Sequence, residues 1–245
     1  MLAFEVLAQS DASRQTIEAA LGAVQTIVEY AGTVAFAVSA ALLAGRRKMN
    51  IVGVMVFGVI VAIGGGSIRD MLLGRLPVYW VDDPTLLVVA AVAAMLTIPL
   101  FKIGTISVMA RYDVMRVADS AGLALFAVAG TNIALDSGAG AISAVVIGVI
   151  SGVGGGIIRD NLADRIPLVL SSGRLYASVV VVGCALQVAL LELLSSRIVA
   201  SAIAVGLIVV VRLLAIHFGW GAPTFAIDGR DVDDGELGAA GPRPA

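Results

Sequence analysis

The sequence predicts an all-α integral membrane protein with seven transmembrane helices, arranged as two inverted three-helix repeats plus a seventh helix. Three observations predict this class. The 245-residue chain has a mean hydropathy of +1.01 and only 14% charged residues, whereas a soluble domain carries about 25%. Its charges separate seven long uncharged runs, and a stretch of the first half recurs ninety positions later.

The uncharged runs define seven candidate spans, most of them near the roughly 20 residues that cross the hydrocarbon layer. They lack the alternation of barrel strands, and lipid leaves only helices or closed barrels with a fully paired backbone. Flanking arginine and glutamate residues extend the shorter runs, because their charged ends reach the interface. The runs lie at 30–45, 49–68, 84–101, 120–135, 137–158, 175–191 and 198–211.

Positive charge predicts the orientation of these spans. If the N-terminus lies outside, the inner side receives 12 Lys and Arg residues and the outer side 4, which is the bias of cytoplasmic loops. The sequence therefore predicts a multi-pass protein of the cell inner membrane with a cytoplasmic C-terminus. The predicted divisions are a lead-in (1–25), two repeats (26–105 and 106–195), a seventh span (196–220) and a flexible cytoplasmic tail (221–245).

An internal duplication covers most of the apolar region. Residues 29–77 align with 119–167 without a gap, with 19 identities in 49 positions. Each copy holds three spans, so the second copy enters the membrane upside down relative to the first. Inverted repeats are typical of transport proteins, whose sites lie near the midplane where interrupted helices meet.

The most specific part of the duplication is GGG-x-x-R-D, which reads "GGGSIRD" from residue 64 and "GGGIIRD" from residue 154. Each glycine lowers helix propensity by about 1 kcal/mol relative to alanine. We expect a helix break that turns carbonyl groups toward a wet passage, where they attract cations. Close helix packing is the alternative, since small residues also recur at a spacing of four. The predicted cation path includes Gly64, Gly65, Gly66, Gly154, Gly155 and Gly156.

Charged residues follow both triplets. Because neighbours in a helix do not face each other, we expect reciprocal pairs across the two copies, Arg69 with Asp160 and Arg159 with Asp70. These pairs would brace the helix breaks or form a gate; ion pairs that only fix helix ends are the alternative.

Two further carboxylates, Glu29 and Asp119, are repeat-equivalent and precede the first span of each copy. We expect them to attract cations at opposite mouths of the path. Ordinary interfacial carboxylates near helix N-termini are the alternative.

Other classes of function find little support in the sequence. It shows no nucleophile with a base, no obvious carboxylate pair in a pocket and no zinc spacing, so we predict no enzyme, cofactor or metal site. The single Cys184 excludes an internal disulfide. His217 stands beside Phe218 in an interfacial aromatic cluster. No basic patch suggests nucleic acid.

The seven spans, the gapless duplication and the paired motif, each followed by Arg-Leu-Pro or Arg-Ile-Pro, resemble the prokaryotic members of the trimeric intracellular cation channel family. The resemblance covers roughly residues 25–215, and older naming calls the repeat a "glycine transporter" domain. It implies a homotrimer among membrane lipids, with one pore per protomer that passes K+ and, to a lesser extent, Na+. It also implies that the second and fifth spans bend at the triplets and line the pore.

The predicted function is therefore a passive channel for monovalent cations. The alternative is a secondary transporter for a small solute such as an amino acid, in which half-helix N–H groups hold a carboxylate. A membrane scaffold is a third class, and the repeated motif is hard to explain by it.

Overall fold

The computed structural model describes residues 2–102, 114–170, 175–194 and 196–220. Over these ranges the chain forms eight helices and no strand. They are α1 (Leu2–Arg46), α2 (Ile51–Leu72), α3 (Tyr79–Asp82), α4 (Thr85–Lys102), α5 (Val114–Asp136), α6 (Ala141–Leu162), α7 (Ala177–Leu193) and α8 (Arg197–Phe218).

Seven of these helices carry the predicted spans, and the all-α membrane fold is confirmed. Five are long and apolar enough to cross a membrane: α2, α5, α6, α8 and the part of α1 from Ala19 to Arg46. The other two, α4 and α7, are shorter apolar helices. The predicted tail, residues 221–245, lies outside the described residues.

Local sequence fixes several helix ends. Asn50 caps α2 by accepting a hydrogen bond from the backbone N–H of Gly53 at 2.7 Å. Gly219 ends α8 in the left-handed conformation, with φ of 67°. Ahead of α4, Asp83 accepts hydrogen bonds from the hydroxyl groups of Thr85 and Tyr30, and these bonds lower the pKa of the Asp83 carboxyl group.

The duplication is visible in the helix boundaries and in the packing. The bounds of α2 and α6 differ by ninety at both ends. In the first copy α1, α2 and α4 pack on one another, as α5, α6 and α7 do in the second, and α1 contacts α5 while α2 contacts α6. The seventh span, α8, packs on α5 and α7.

Two phenylalanines mark the centre of this pseudo-symmetric packing. The rings of Phe36 and Phe126, which are repeat-equivalent, stack with their centroids 5.5 Å apart. Each ring also lies against a glycine of the other copy: Phe36 against Gly122, and Phe126 against Gly32. A larger residue at either glycine would displace the ring, so the two glycines allow the first helices of the two copies to pack closely.

The glycine triplets do not break their helices, which corrects the predicted break. Both α2 and α6 are assigned as continuous helices across the triplets. The glycines instead let the two helices cross in close contact. A Cβ atom on Gly155 would lie 3.0 Å from the carbonyl oxygen of Val61, and one on Gly65 would collide with the carbonyl oxygen of Ser151, the repeat equivalent of Val61. Packing between the helices thus outweighs the low helix propensity of glycine.

The variant Gly65→Ala is expected to lower the free energy of unfolding by about 1–3 kcal/mol, the usual range for overpacking. The added methyl group would meet a backbone carbonyl, which cannot rotate away as a side chain can. Thermal unfolding of the detergent-solubilised protein measures the effect. Gly45→Ala is the matched control, since no described atom lies within 4 Å of the added Cβ atom. Equal midpoints for the two variants would contradict the close crossing.

Candidate functional site

Each copy of the repeat contains a buried arginine between two carboxylates. In the first cluster, formed by Glu29, Arg69 and Asp70, Arg69 Nε donates a hydrogen bond to Asp70 Oδ1 at 2.8 Å, and Arg69 Nη1 to Glu29 Oε1 at 3.2 Å. The arginine side chain is 1% exposed. Residues of α1 and α2 are thereby joined by an ion pair inside the protein.

The second cluster repeats this arrangement with Asp119, Arg159 and Asp160. Arg159 Nε donates to Asp160 Oδ1 at 3.0 Å, and Arg159 Nη1 donates to Asp119 Oδ1 at 2.6 Å. The arginine and both carboxylates are buried. Every residue of this cluster lies ninety positions after its counterpart in the first, so the duplication has kept the ion pairs as well as the helices.

The predicted reciprocal pairs are wrong. Arg69 pairs with Asp70 and Arg159 with Asp160, each within one copy. The rule that neighbouring helix residues point apart describes the surface of a helix. Here the long arginine side chain contacts the next residue near the end of its helix and also a second carboxylate from α1 or α5. A pair across the copies is therefore not needed to satisfy either guanidinium.

The aspartates of the motif also fix the chain that follows each helix. The second carboxylate oxygen of Asp70 accepts a hydrogen bond from the backbone N–H of Tyr79 at 2.9 Å, and that of Asp160 accepts one from Leu168 at 2.9 Å. Each aspartate thus links an arginine on one side to a backbone group on the other. Charged hydrogen bonds of this kind are stronger than neutral ones.

The carboxylates predicted at the mouths belong to these clusters. The Glu29 side chain is 16% exposed and Asp119 is fully buried, and each contacts an arginine. Their attraction for cations stays a prediction. With two carboxylates (−2) and one guanidinium (+1), the three residues of each cluster have a formal charge of −1 when all are ionised.

Two tyrosines that sequence reasoning missed complete the clusters. The Tyr79 ring packs on Gly66 and under Arg69, whose guanidinium carbon lies 5.1 Å from the ring centroid. Tyr176 packs on Gly156 and donates a hydrogen bond to Asp119 Oδ1 at 3.3 Å. The two tyrosines are not repeat-equivalent, which hides them from an alignment of the copies. The third glycine of each triplet is small enough to leave room for an aromatic ring. This is the feature of the sequence that could have indicated the two tyrosines.

The second cluster is enclosed more completely than the first. Ser39 of α1 accepts a hydrogen bond from Arg159 Nη1 at 2.7 Å. The guanidinium of Arg212, on α8, lies 4.5 Å above the Tyr176 ring. No hydrogen bond reaches Asp119 Oδ2 from any described residue, although that atom is buried. A buried carboxylate oxygen without a donor is a suitable position for a cation or a water molecule.

No metal centre is indicated by the part of the chain that the structure describes, where no group of three His, Cys, Asp or Glu residues is placed to bind one. Cys184 is buried as a free thiol. The Arg–carboxylate clusters are therefore the main concentration of buried charge around the α2–α6 crossing.

Comparison with known proteins matches the same two repeats. The family model described as "Glycine transporter" matches residues 26–102 and 116–192. The UPF0126 inner membrane protein YadS of Escherichia coli K12 is 43% identical over 202 residues, which cover 82% of this chain and 96% of that protein. A UPF0126 membrane protein of Vibrio cholerae is 40% identical over 201 residues, which cover 82% of this chain and 82% of that protein.

Solved structures share the fold. The TRIC trimeric intracellular cation channel orthologue from Rhodobacter sphaeroides superposes with a TM-score of 0.74 and 33% identity, over 80% of this chain and 98% of that one. A second structure, described as the basis for conductance through TRIC cation channels, gives a TM-score of 0.73 and 32% identity, over 84% of this chain and 98% of that one.

The sequence motifs, the buried clusters and the superpositions concern the same duplicated unit. Relatives above 30% identity are matched over nearly their whole length. The chain therefore belongs to the TRIC-type channel family, whose repeat is the one that the glycine transporter model describes.

Proposed function

We propose that the protein is a passive channel for monovalent cations, K+ and also Na+, with one pathway in each protomer. The observation that carries the proposal is the pair of repeat-related clusters at the ends of α2 and α6, each with a formal excess of one negative charge. The similar solved structures are of TRIC cation channels, and this supports the same activity here.

The proposed pathway follows α2 and α6 from one cluster to the other. Because both helices are continuous, carboxylate and hydroxyl oxygens rather than freed carbonyls are the proposed cation ligands. An isolated guanidinium in the path would repel cations, but Arg69 and Arg159 are each balanced by two carboxylates. A weak net attraction suits conduction, which needs ions to enter and also to leave.

The glycine triplets form the proposed narrow middle of the path. Gly65 and Gly155 lie so close that the amide nitrogen of Gly155 is 3.3 Å from a Cβ atom built on Gly65. We assign this close contact to the closed state. Opening would separate α2 from α6. The glycine triplets have no side chains that interdigitate between the two helices, so this movement does not require side chains to be pulled apart.

The same proposal covers assembly and orientation. A homotrimer in the cell inner membrane is supported by the trimeric relative and by the inner membrane protein of Escherichia coli. The excess of positive charge on one side supports an outer N-terminus and a cytoplasmic C-terminus. The division into repeats at 26–105 and 106–195, with the seventh span at 196–220, belongs to this proposal.

Recordings from purified protein in a planar bilayer test the channel. We expect unitary current steps that reverse near the K+ equilibrium potential under a KCl gradient, because the clusters favour cations over Cl−. Replacing K+ by Na+ on one side should preserve the steps with a smaller conductance. Silent bilayers together with saturable uptake and counterflow of a small solute would contradict the channel and indicate the transporter.

Removing Arg159 is expected to destabilise the fold more than removing Arg69. Arg159→Gln would leave Asp119 and Asp160 buried without their cation, a loss of about 3–5 kcal/mol for a broken buried pair. Arg69→Gln should cost less, because Glu29 retains contact with solvent. Thermal unfolding in detergent measures both effects.

A double variant separates charge burial from a general disturbance of packing. In Arg159→Gln with Asp119→Asn, part of the lost stability should return, because one unpaired carboxylate is removed with the guanidinium. If the stability lost in the double variant equals the sum of the losses in the two single variants, the two side chains do not interact in the folded protein.

The orientation is tested by reporter fusions at the C-terminus. A fluorescent protein fused there should fluoresce in cells, and alkaline phosphatase fused there should stay inactive, since phosphatase requires the oxidising side of the membrane for its disulfides. The opposite pattern would contradict the cytoplasmic C-terminus without affecting the proposed conduction.

A further inference from the structure

A groove of about 670 Å³ lies outside both clusters, between α1, α5 and α8. Its walls are mainly apolar, with Leu125, Val128 and Val205 among them. Five polar residues line it as well: Gln25 of α1, Asn132 and Asp136 of α5, and Arg197 and Ser201 of α8. An apolar cavity of about 300–1,000 Å³ with a few polar groups is typical of a small-molecule site.

The polar residues of α5 and α8 form one connected network. Arg197 Nη1 lies 2.8 Å from Asp136 Oδ1, and Arg197 Nε donates a hydrogen bond to Asn132 Oδ1 at 3.1 Å. Asn132 Nδ2 in turn donates to Ser201 Oγ at 3.0 Å. The network contains one positive and one negative charge, and the two side chains are 28% and 50% exposed. Both charges are thus held in place and accessible to a ligand.

The network lies at the ends of two spans, where the surface of a membrane is expected. Asp136 is the last residue of α5 and Arg197 the first of α8, so the charged pair stands where two spans end. The apolar part of the groove continues from this pair along α8. A ligand that complements both parts of the groove therefore carries an apolar chain and a polar group with charges of both signs.

No contact within the protomer explains why two positions in the groove are glycine. For Gly22 and Gly206, no described atom lies within 4 Å of an added Cβ atom. The triplet glycines differ, because each of them meets a neighbouring helix or ring. A glycine inside a helix costs about 1 kcal/mol relative to alanine. In the groove, these two small residues leave open space for another molecule.

We propose that this groove binds a zwitterionic phospholipid of the ethanolamine class. One acyl chain lies along α8 over Ala202 and Gly206, the phosphate meets Arg197, and the ammonium group meets Asp136. The charges of the head group complement the charged pair, and an acyl chain suits the apolar walls.

Native mass spectrometry of the purified full chain tests the proposal. The protein is delipidated in detergent and then offered equal amounts of phosphatidylethanolamine and phosphatidylglycerol. We expect one tightly held phospholipid per protomer, with phosphatidylethanolamine bound in preference. Equal retention of the two lipids, or loss of both under mild conditions, would overturn the assignment.

A variant that fills the groove supplies the structural control. Gly206→Leu should lower lipid retention roughly tenfold, because its side chain displaces about two methylene groups of the acyl chain. Gly45→Leu is the matched control, since Gly45 is also a helical glycine with open space around it but lies away from the groove. It should retain lipid as the wild type does. If Gly206→Leu instead yields monomers that retain lipid, the groove is an interface between copies and the proposal fails.

The charged pair is tested separately. Asp136→Asn leaves the charge of Arg197 unbalanced, so the preference should move from phosphatidylethanolamine toward the anionic phosphatidylglycerol. An unchanged preference would show that the head group does not lie at this pair. Neither result depends on ion conduction, because binding is measured directly and the groove contains no residue of either cluster.

Discussion

The close crossing of α2 and α6 is the contact on which the rest of the fold depends. Gly65 and Gly155 bring two backbones together where any side chain would intervene. This approach sets the distance between the copies and lets Phe36 and Phe126 stack between their first helices. It also leaves Arg69 and Arg159 at the ends of the crossing, where each finds carboxylates of its own copy.

Much of the fold could be predicted from the sequence because two strong signals agree. Hydropathy located the seven spans, and the duplication constrained their arrangement, since α2 and α6 share bounds that differ by ninety. The motif also located Arg69 and Arg159, which the structure places in the two buried clusters. These features depend on local composition and on comparison of the chain with itself, and neither requires knowledge of which helices touch.

The partners of those residues could not be predicted in the same way. Low helix propensity at Gly64–Gly66 suggested a break, but the energy of packing against α6 is absent from a one-dimensional pattern. The position of the Arg69 side chain, which contacts Asp70, also depends on its contact with Glu29 of α1. Tyr79 and Tyr176 escaped notice because they reach equivalent glycines from different positions in the two copies. Each miss concerns tertiary neighbours rather than the identity of a helix.

The eighth helix makes the two halves of the molecule unequal. Through Arg212 it covers Tyr176, and so the second cluster, while Glu29 of the first cluster keeps contact with solvent. On the proposed pathway, ions would meet a more exposed cluster and a more enclosed cluster in an order set by their direction. We expect such a pathway to rectify: equal voltages of opposite sign would drive unequal currents, although the two halves descend from one ancestral segment.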